Sequence, residues 1–340
     1  MTLSRDEISV IIPNYNRATL IGDTIENMLG QSLPPKEVIV VDDGSTDNSV
    51  PVITGFGSRV TLIRQENKGP GSARNAGLAV ASGEFIQFMD SDDLVSRNKL
   101  ETQIAAIHKS GADLVYGPWV RTMISGKNME FIGPVMQTGP LPDWKSMLEW
   151  QMGSWSLVFQ NCLLRRRIID VAGKFREDLM PSEDSEYLVR VLMAGARYCH
   201  TSDCLTFYRE HDLAQITSSG TTKQRRAEDW TLYLECVGNE VLPLINGFHW
   251  TTKMEIALNL YRHQRYCRKN RWKDIRYDEP FNQLLCSIPL VAIWLCDLFD
   301  RFHKKLYGIK GATPSSQGMV CRPVGDGERT LAKELGYIVA

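Results

Sequence analysis

Residues 84–93 read E-F-I-Q-F-M-D-S-D-D, an apolar run that stops on three carboxylates. Phe85, Ile86, Phe88 and Met89 are too uniformly apolar for a half-exposed strand and predict a buried one. Asp90, Ser91, Asp92 and Asp93 then stand where that strand leaves its sheet, and open α/β sheets bind ligands at the carboxyl ends of their strands. Carboxylates this close repel one another unless a positive group sits among them. A hard divalent cation, Mn2+ or Mg2+, suits their oxygens, and such an ion commonly serves a substrate phosphate. The same residues also suit the cap of a following helix, so the other strand ends decide.

Three further apolar runs end in comparable fashion. P-N-Y-N follows the first at residues 13–16, D-D-G-S-T-D the second at 42–47, and N-K-G-P-G-S-A-R-N-A-G the third at 67–77. One sheet edge therefore collects an aromatic ring, carboxylates, a lysine, an arginine and several glycines, a mixture that fits a nucleoside diphosphate. Tyr15 offers a flat face and a polar tip to a base. Asp43 can accept hydrogen bonds from base or ribose, and Gly69 and Gly71 permit close backbone approach. Arg74 can meet a phosphate or carboxylate in fork geometry. A cation at Asp92, with Asp90 beside it, would neutralise the diphosphate. Any one of these residues has a structural alternative as turn, cap or packing group, and their conjunction carries the argument. Further along, Glu183 and Asp184 open an apolar helix containing Tyr187, Leu188, Val191 and Leu192. An inverting group transfer needs one carboxylate opposite the leaving phosphate to take the acceptor's proton. A helix N-terminus favours the ionised form of such a group. Asp184 is the candidate base, with Glu183 its nearest rival and simple capping by Ser182 or Asp184 the plainer alternative.

The elements that must hold these residues alternate strand and helix. Strands are expected at 8–12, ended by Pro13, and at 38–41, 60–63 and 84–89, with helices at 19–31 and 71–81. This pattern predicts an α/β fold with a mostly parallel central sheet and helices on both faces. Beyond residue 111 a strand is expected at 113–116, loops with short elements over 117–153, and helices at 163–172, 182–194, 223–245, 251–269 and 283–302. Trp144, Trp150 and Trp155 could stack on sugar rings or simply pack. The organisation predicted is a donor-binding part at 1–115, an acceptor and catalytic-base part at 116–220, and a helical C-terminal extension at 221–340 whose last segment, from about 311, is loosely attached.

The chain has 340 residues, 43% hydrophobic and 23% charged, with a formal net charge of −1. That balance gives no bulk electrostatic case for nucleic acid as partner. Its eight cysteines form no C-x-x-C pair, which suits a reducing compartment. A strand that begins by Ile8 leaves no room for a signal peptide, and a cytoplasmic protein is expected. Residues 284–299 are almost wholly apolar and are followed by Arg301, Lys304 and Lys305. That run is short for a membrane span of about 20 residues and suits either a helix lying in a membrane interface or a core helix.

The segments S-V-I-I-P-N-Y-N, E-V-I-V-V-D-D-G-S-T-D-N-S, N-K-G-P-G-S-A-R-N-A-G and F-M-D-S-D-D, in this order and spacing, resemble the family 2 glycosyltransferases, which are inverting enzymes of the GT-A fold. The resemblance is close over residues 6–115 and looser to about 218. It implies that Pro13 and Tyr15 frame the nucleobase, that Asp43 contacts base or ribose, and that Arg74 lies near the base and a partner aspartate. Asp90 and Asp92 match the D-x-D motif, with Asp92 the direct metal ligand. Asp184 matches the base of the family's E-D segment. Y-R-E-H, residues 208–211, looks like the start of the segment that closes over the diphosphate, with His211 a further metal or phosphate contact. The resemblance favours a UDP-sugar donor, Mn2+ or Mg2+ as cofactor, and a glycan, lipid-linked or other hydroxyl acceptor. The long membrane helices and Q-x-x-R-W signature of the processive members are missing, since Arg271-Trp272 follows Arg268 where glutamine would be needed. Transfer of one sugar is therefore expected. A sugar-nucleotide nucleotidyltransferase would need a basic G-x-G-x-R loop where P-N-Y-N stands. An inactive sugar-nucleotide-binding module would have no use for Asp43, Asp90, Asp92 and Asp184 together.

Overall fold

The computed structural model describes residues 7–153, 157–180, 182–211, 223–269, 293 and 321–339. The apolar stretch at 284–299 (apart from residue 293), the helix expected at 283–302, Trp155 and residues 311–320 lie outside the described residues. Among the described residues no helix is long and apolar enough to cross a membrane.

The central sheet is built from β1 (Ile8–Asn14), β2 (Glu37–Asp43), β3 (Thr61–Gln65), β4 (Phe85–Phe88), β6 (Leu114–Tyr116), β9 (Leu163–Arg165) and β10 (Tyr198–His200), in the spatial order β10-β6-β9-β4-β1-β2-β3. Every pairing is parallel except those of β9, which runs antiparallel between β4 and β6. The sheet thus draws strands from both sides of residue 115. Helices α1 (Ile21–Leu29), α2 (Ser49–Thr54), α3 (Pro70–Val80), α4 (Lys99–Ser110), α5 (Met147–Met152), α6 (Arg166–Ala172) and α7 (Glu183–Met193) flank it. Two apolar clusters, one on each face, take alternate residues of the same strands: Ile11, Ile39 and Phe88 on one side, Ile12, Val40 and Phe85 on the other. Strands buried on both faces read as continuous apolar runs for this reason.

A second sheet, in the order β12-β8-β7-β11-β5, contains β5 (Leu94–Val95), β7 (Trp119–Ser125), β8 (Asn128–Met136), β11 (Thr206–Glu210) and β12 (Ile338–Val339). Long helices α8 (Lys223–Val241) and α9 (Trp250–Lys269) match the expected helical extension, and α10 (Asp326–Glu334) precedes β12.

Several local expectations are corrected. The first strand does not end at Pro13, which pairs with Val41. Ile11 faces β4, and Pro13, two residues on, points its missing N–H to the same side, where the β4 pairing has already stopped at Phe88. Residues 117–153 are not mainly loops, because β7 and β8 form an antiparallel hairpin across them. The helix expected at 163–172 begins as β9, since Leu163 and Leu164 are needed inside the sheet. Residues 321–339 are not a loose tail: β12 pairs with β8, and α10 packs on the same sheet.

Candidate functional site

The carboxyl ends of β1, β2 and β4 lie side by side through the registers Asn14 to Asp42 and Ile11 to Phe88. β3 ends beside β2 at the pairing of Gln65 with Asp43. The P-N-Y-N, D-D-G-S, N-K-G-P-G and D-S-D-D segments therefore meet at one edge, with each side chain placed by its own strand end.

Asp43 is buried. It accepts hydrogen bonds from Gln65 Nε2 at 2.7 Å, Lys68 N at 2.9 Å and Gly69 N at 2.8 Å. It thereby shapes the loop that leads into α3. Gly69 needs its positive φ of 91° to make that turn. Gly71 lets the helix approach the chain at Arg176, whose carbonyl oxygen would stand 2.5 Å from an added Cβ. Tyr15 is 44% exposed at the mouth of this edge, one residue past Asn14. Asn14 Nδ2 donates to Asp42 Oδ1 at 2.9 Å, which ties the two strand ends together.

Arg74, on the first turns of α3, is buried and bridges the two halves of the site. Its Nη1 lies 2.5 Å from Glu183 Oε1 and its Nη2 3.0 Å from Asp90 Oδ1. Its guanidinium sits over the rings of Phe159 and Phe175, 5.6 Å from each centroid. Burial opposes its charge, but Glu183, Asp90 and Asp184 more than compensate and raise its pKa. The carboxylates gain less. Loss of hydration lifts Asp90 to about 6 and Glu183 to about 8; Arg74 opposes both shifts, and Asp184 adds to both. Glu183 Oε2 is buried with no hydrogen-bond partner among the described residues. Asp184, the next residue, opens α7 with its Oδ1 accepting from Ser185 N at 2.6 Å and is half-buried. The two adjacent acids thus differ in kind, one sealed against Arg74 and one half-buried and bonded to the backbone of its own helix.

Asp92 is placed differently. Its Oδ2 accepts from Arg17 Nε at 3.0 Å and lies 3.0 Å from His211 Nε2, at the end of β11. Burial works against its ionisation, yet His211 and Arg17 hold its carboxyl below the usual range. Among the described residues no three His, Cys, Asp or Glu side chains form a closed metal cage. Asp92 and His211 are the residues here that could hold a divalent ion, which would have to take the place of the Arg17 bond on the same Asp92 oxygen. Two ligands at right angles on bonds of about 2.1 Å stand about 3 Å apart, and Mg2+-type sites take one or two carboxylates, with phosphate and water completing the shell. Asp93, the last residue of the motif, does not share this role. Its oxygens accept from Arg209 N at 2.8 Å and from Gln160 Nε2, it is buried, and loss of hydration together with Asp92 and Asp90 raises its pKa well above the usual range.

The structure therefore brings Asp90, Arg74, Glu183 and Asp184 into one group and Asp92 with His211 into another, joined through the short D-S-D turn. Pro13, Tyr15 and Asp43 line the adjoining strand ends. Sequence reasoning missed Arg17, which no motif distinguishes and which reaches Asp92 only because β1 and β4 are neighbours. It also missed Arg209 and Gln160, the donors that hold Asp93. Trp150 is buried, its indole donating to Pro142 O at 3.1 Å, while Trp144 is 46% exposed with its ring edge-on to Trp150. Only Trp144 of the two is open to a sugar.

Residues 9–171 match the family described as Glycosyl transferase family 2. The glycosyltransferase GlyG of Streptococcus pneumoniae is 40% identical over 128 residues, 36% of this chain and 42% of that one. The UDP-Glc:alpha-D-GlcNAc-diphosphoundecaprenol beta-1,3-glucosyltransferase WfgD of Escherichia coli is 41% identical over 112 residues, 32% of this chain and 44% of that one. The chain thus spans less than half the length of these two relatives. Among solved structures, S. aureus TarS 1–349 in complex with UDP-GlcNAc superposes with a TM-score of 0.58 at 23% identity, over 78% of this chain and 74% of that one. That likeness shows a shared fold. The four strand-end motifs gathered at one sheet edge all lie inside the region, residues 9–171, that matches glycosyl transferase family 2.

Proposed function

We propose that this protein is an inverting, metal-dependent glycosyltransferase that moves one sugar from a nucleotide-diphosphate donor, with UDP-sugars favoured, to a hydroxyl acceptor in cell-surface glycan synthesis. The observation that carries the proposal is the pairing of Asp92 with His211 on one side of the D-S-D turn and of Arg74 with Asp90 and Glu183 on the other. This arrangement separates the place where a diphosphate leaves from the place where a proton is taken.

Tyr15 and Asp43 stand at the strand ends where a base and ribose would lie, and Asp92 and His211 would hold the divalent cation. The cation, when bound, supplies neutralisation of the leaving diphosphate, so no acid is needed to protonate it. Asp184 takes the proton of the acceptor hydroxyl as its oxygen closes on the anomeric carbon from the opposite side. Glu183, raised to about 8 by burial, holds its own proton near neutral pH against Arg74, and Asp184 is the acid of the pair assigned to the proton transfer. Arg74 fixes the start of α7 relative to Asp90, so the base and the diphosphate end keep their spacing. The donor preference draws support from WfgD, named for a UDP-Glc donor and a diphosphoundecaprenol acceptor, and from TarS with bound UDP-GlcNAc.

The test is a thermal-shift panel of UDP, GDP, dTDP and CDP, each with and without Mn2+. Ligands that bind the native state raise its apparent stability. A shift with one nucleotide that requires Mn2+ is expected, and UDP should give it. A folded protein that responds to none of them would remove the transferase proposal.

A further inference from the structure

The second sheet has one edge at the D-S-D-D motif and the other at the end of the chain. β5 begins at Leu94, the residue after Asp93, and pairs antiparallel with β11 through Leu94 and Phe207. At the far edge β12 pairs with β8, with Ile338 N donating to Lys127 O at 2.7 Å. A second attachment joins Val135 and Arg322 by reciprocal backbone hydrogen bonds of 2.9 and 3.0 Å. Between these anchors α10 crosses the sheet. Its Ala332 is fully buried in one apolar cluster with Leu94 and Phe207, and Leu335 and Tyr337 pack against that cluster. Side chains two apart on a strand share a face, so Arg209 follows Phe207 on the side that α10 covers. Arg209 Nη1 lies 3.1 Å from Asp23 Oδ2, its N–H donates to Asp93 Oδ1 at 2.8 Å, and His211 stands two residues further on against Asp92. Tyr337 lies within electrostatic reach of both Asp23 and Arg209.

We propose that the C-terminal segment, residues 321–339, is a positioning device for the cation end of the site, holding β5 and β11 together so that Asp92 and His211 face one another, with Tyr337 as its key positioning residue. The inference rests on the metal-dependent donor site proposed above. No part of the segment lies in the region that matches the family, residues 9–171. A cover whose only role is to shield the sheet would contribute stability alone. This one shares its apolar cluster with Leu94 and Phe207, on the strands next to the proposed ligands, and outer partners of metal ligands typically change metal affinity about 10–100-fold.

The experiment compares the full chain, a chain stopping at residue 320, and the variants Tyr337→Ala and Tyr337→Phe. Two readouts are taken: hydrogen exchange at the Arg209 amide without metal, and the Mn2+ concentration that half-saturates UDP binding by calorimetry. Truncation is expected to speed exchange at Arg209 and raise the Mn2+ requirement, each at least about tenfold, while exchange within β2 and α3 stays as in the full chain. A synthetic peptide of residues 321–340 added in trans should restore both, as strand addition allows. Tyr337→Ala should reproduce part of the loss, and Tyr337→Phe, which keeps the ring, should not. A folded truncated chain with unchanged Arg209 exchange and Mn2+ requirement overturns the proposal. If the truncated chain does not fold, wild-type values for Tyr337→Ala overturn it. If the full chain shows no Mn2+-dependent UDP binding, the donor site fails, and unchanged Arg209 exchange on truncation then separately refutes the positioning role.

Discussion

Replacing Glu183 by glutamine should make the protein more stable, and by an amount that depends on pH in a set direction. Glu183 is 4% exposed, with one oxygen on Arg74 at 2.5 Å and the other without a partner among the described residues. Loss of hydration outweighs Arg74 and lifts its pKa from 4.5 to about 8. A carboxyl whose folded pKa lies above its unfolded value binds more protons in the native state across the interval between the two. Its contribution is fully present below about pH 4.5 and is lost as pH rises toward 8, at about 1.4 kcal/mol per pH unit. At pH 7 the folded protein therefore bears a cost of about 3 kcal/mol for keeping Glu183 neutral, and at pH 5 less than about 1 kcal/mol. Glutamine keeps the shape and an oxygen for Arg74 and removes the proton. Urea unfolding of wild type and Glu183→Gln at pH 5, 6, 7 and 8 should show a gap in favour of glutamine that widens with pH. The opposite result is equally clear. If Glu183 is ionised and its pair with Arg74 stabilises the fold, Glu183→Gln loses stability at pH 7, and that outcome, or a gap that does not change with pH, refutes the reasoning.

Asp184→Asn should keep donor affinity and lower transfer by about 10²–10⁴-fold, the usual contribution of a general base; full-rate transfer by that variant would place the base elsewhere. Asp92→Ala should abolish the Mn2+-dependent part of nucleotide binding, read as the loss of the metal-dependent thermal shift, and an unchanged shift would take Asp92 out of the metal site. Gly77→Ala would put a Cβ 2.4 Å from Ile11 Cγ2, an overpacking that should cost about 1–3 kcal/mol and lower the urea midpoint; an unaltered midpoint would show that α3 and β1 have room to separate there.

The strand ends were legible because strands buried on both faces carry continuous apolar runs, and those of β1, β2 and β4 stop on polar residues. The β7–β8 hairpin was not. Only one face of β7 is buried, and part of what covers that sheet is Ala332, about two hundred positions away in the chain. β9 was taken for helix because Leu163-Leu164 runs directly into α6, and a short apolar run does not separate strand from helix by periodicity. Arg17 gave no signal because its partner Asp92 is 75 residues distant and the contact depends on strand order. Residues 321–339 looked like a tail because glycine and proline precede them, and nothing local shows that β8 is left with an unpaired edge.

The same residue type does four different jobs at this edge, and the backbone decides which. Asp43 receives three donors from the loop it shapes, so it is structural glue at the place where the base would lie. Asp93 receives Arg209 N and Gln160 Nε2 and is sealed away. Asp92, one residue earlier, has cationic or ring-nitrogen neighbours instead, and its charge is kept. Asp90, two residues earlier again, shares Arg74 with Glu183 and is only partly compensated. In the proposed reaction a diphosphate arriving with its cation would add positive charge at Asp92 and negative charge beside it. Arg74, which touches both Asp90 and Glu183, is the group that would re-balance them. Its guanidinium is held by Asp90 and Glu183 from opposite halves of the site and packed over Phe159 and Phe175, so in the proposed reaction it would carry a change of charge at the donor end to the start of α7.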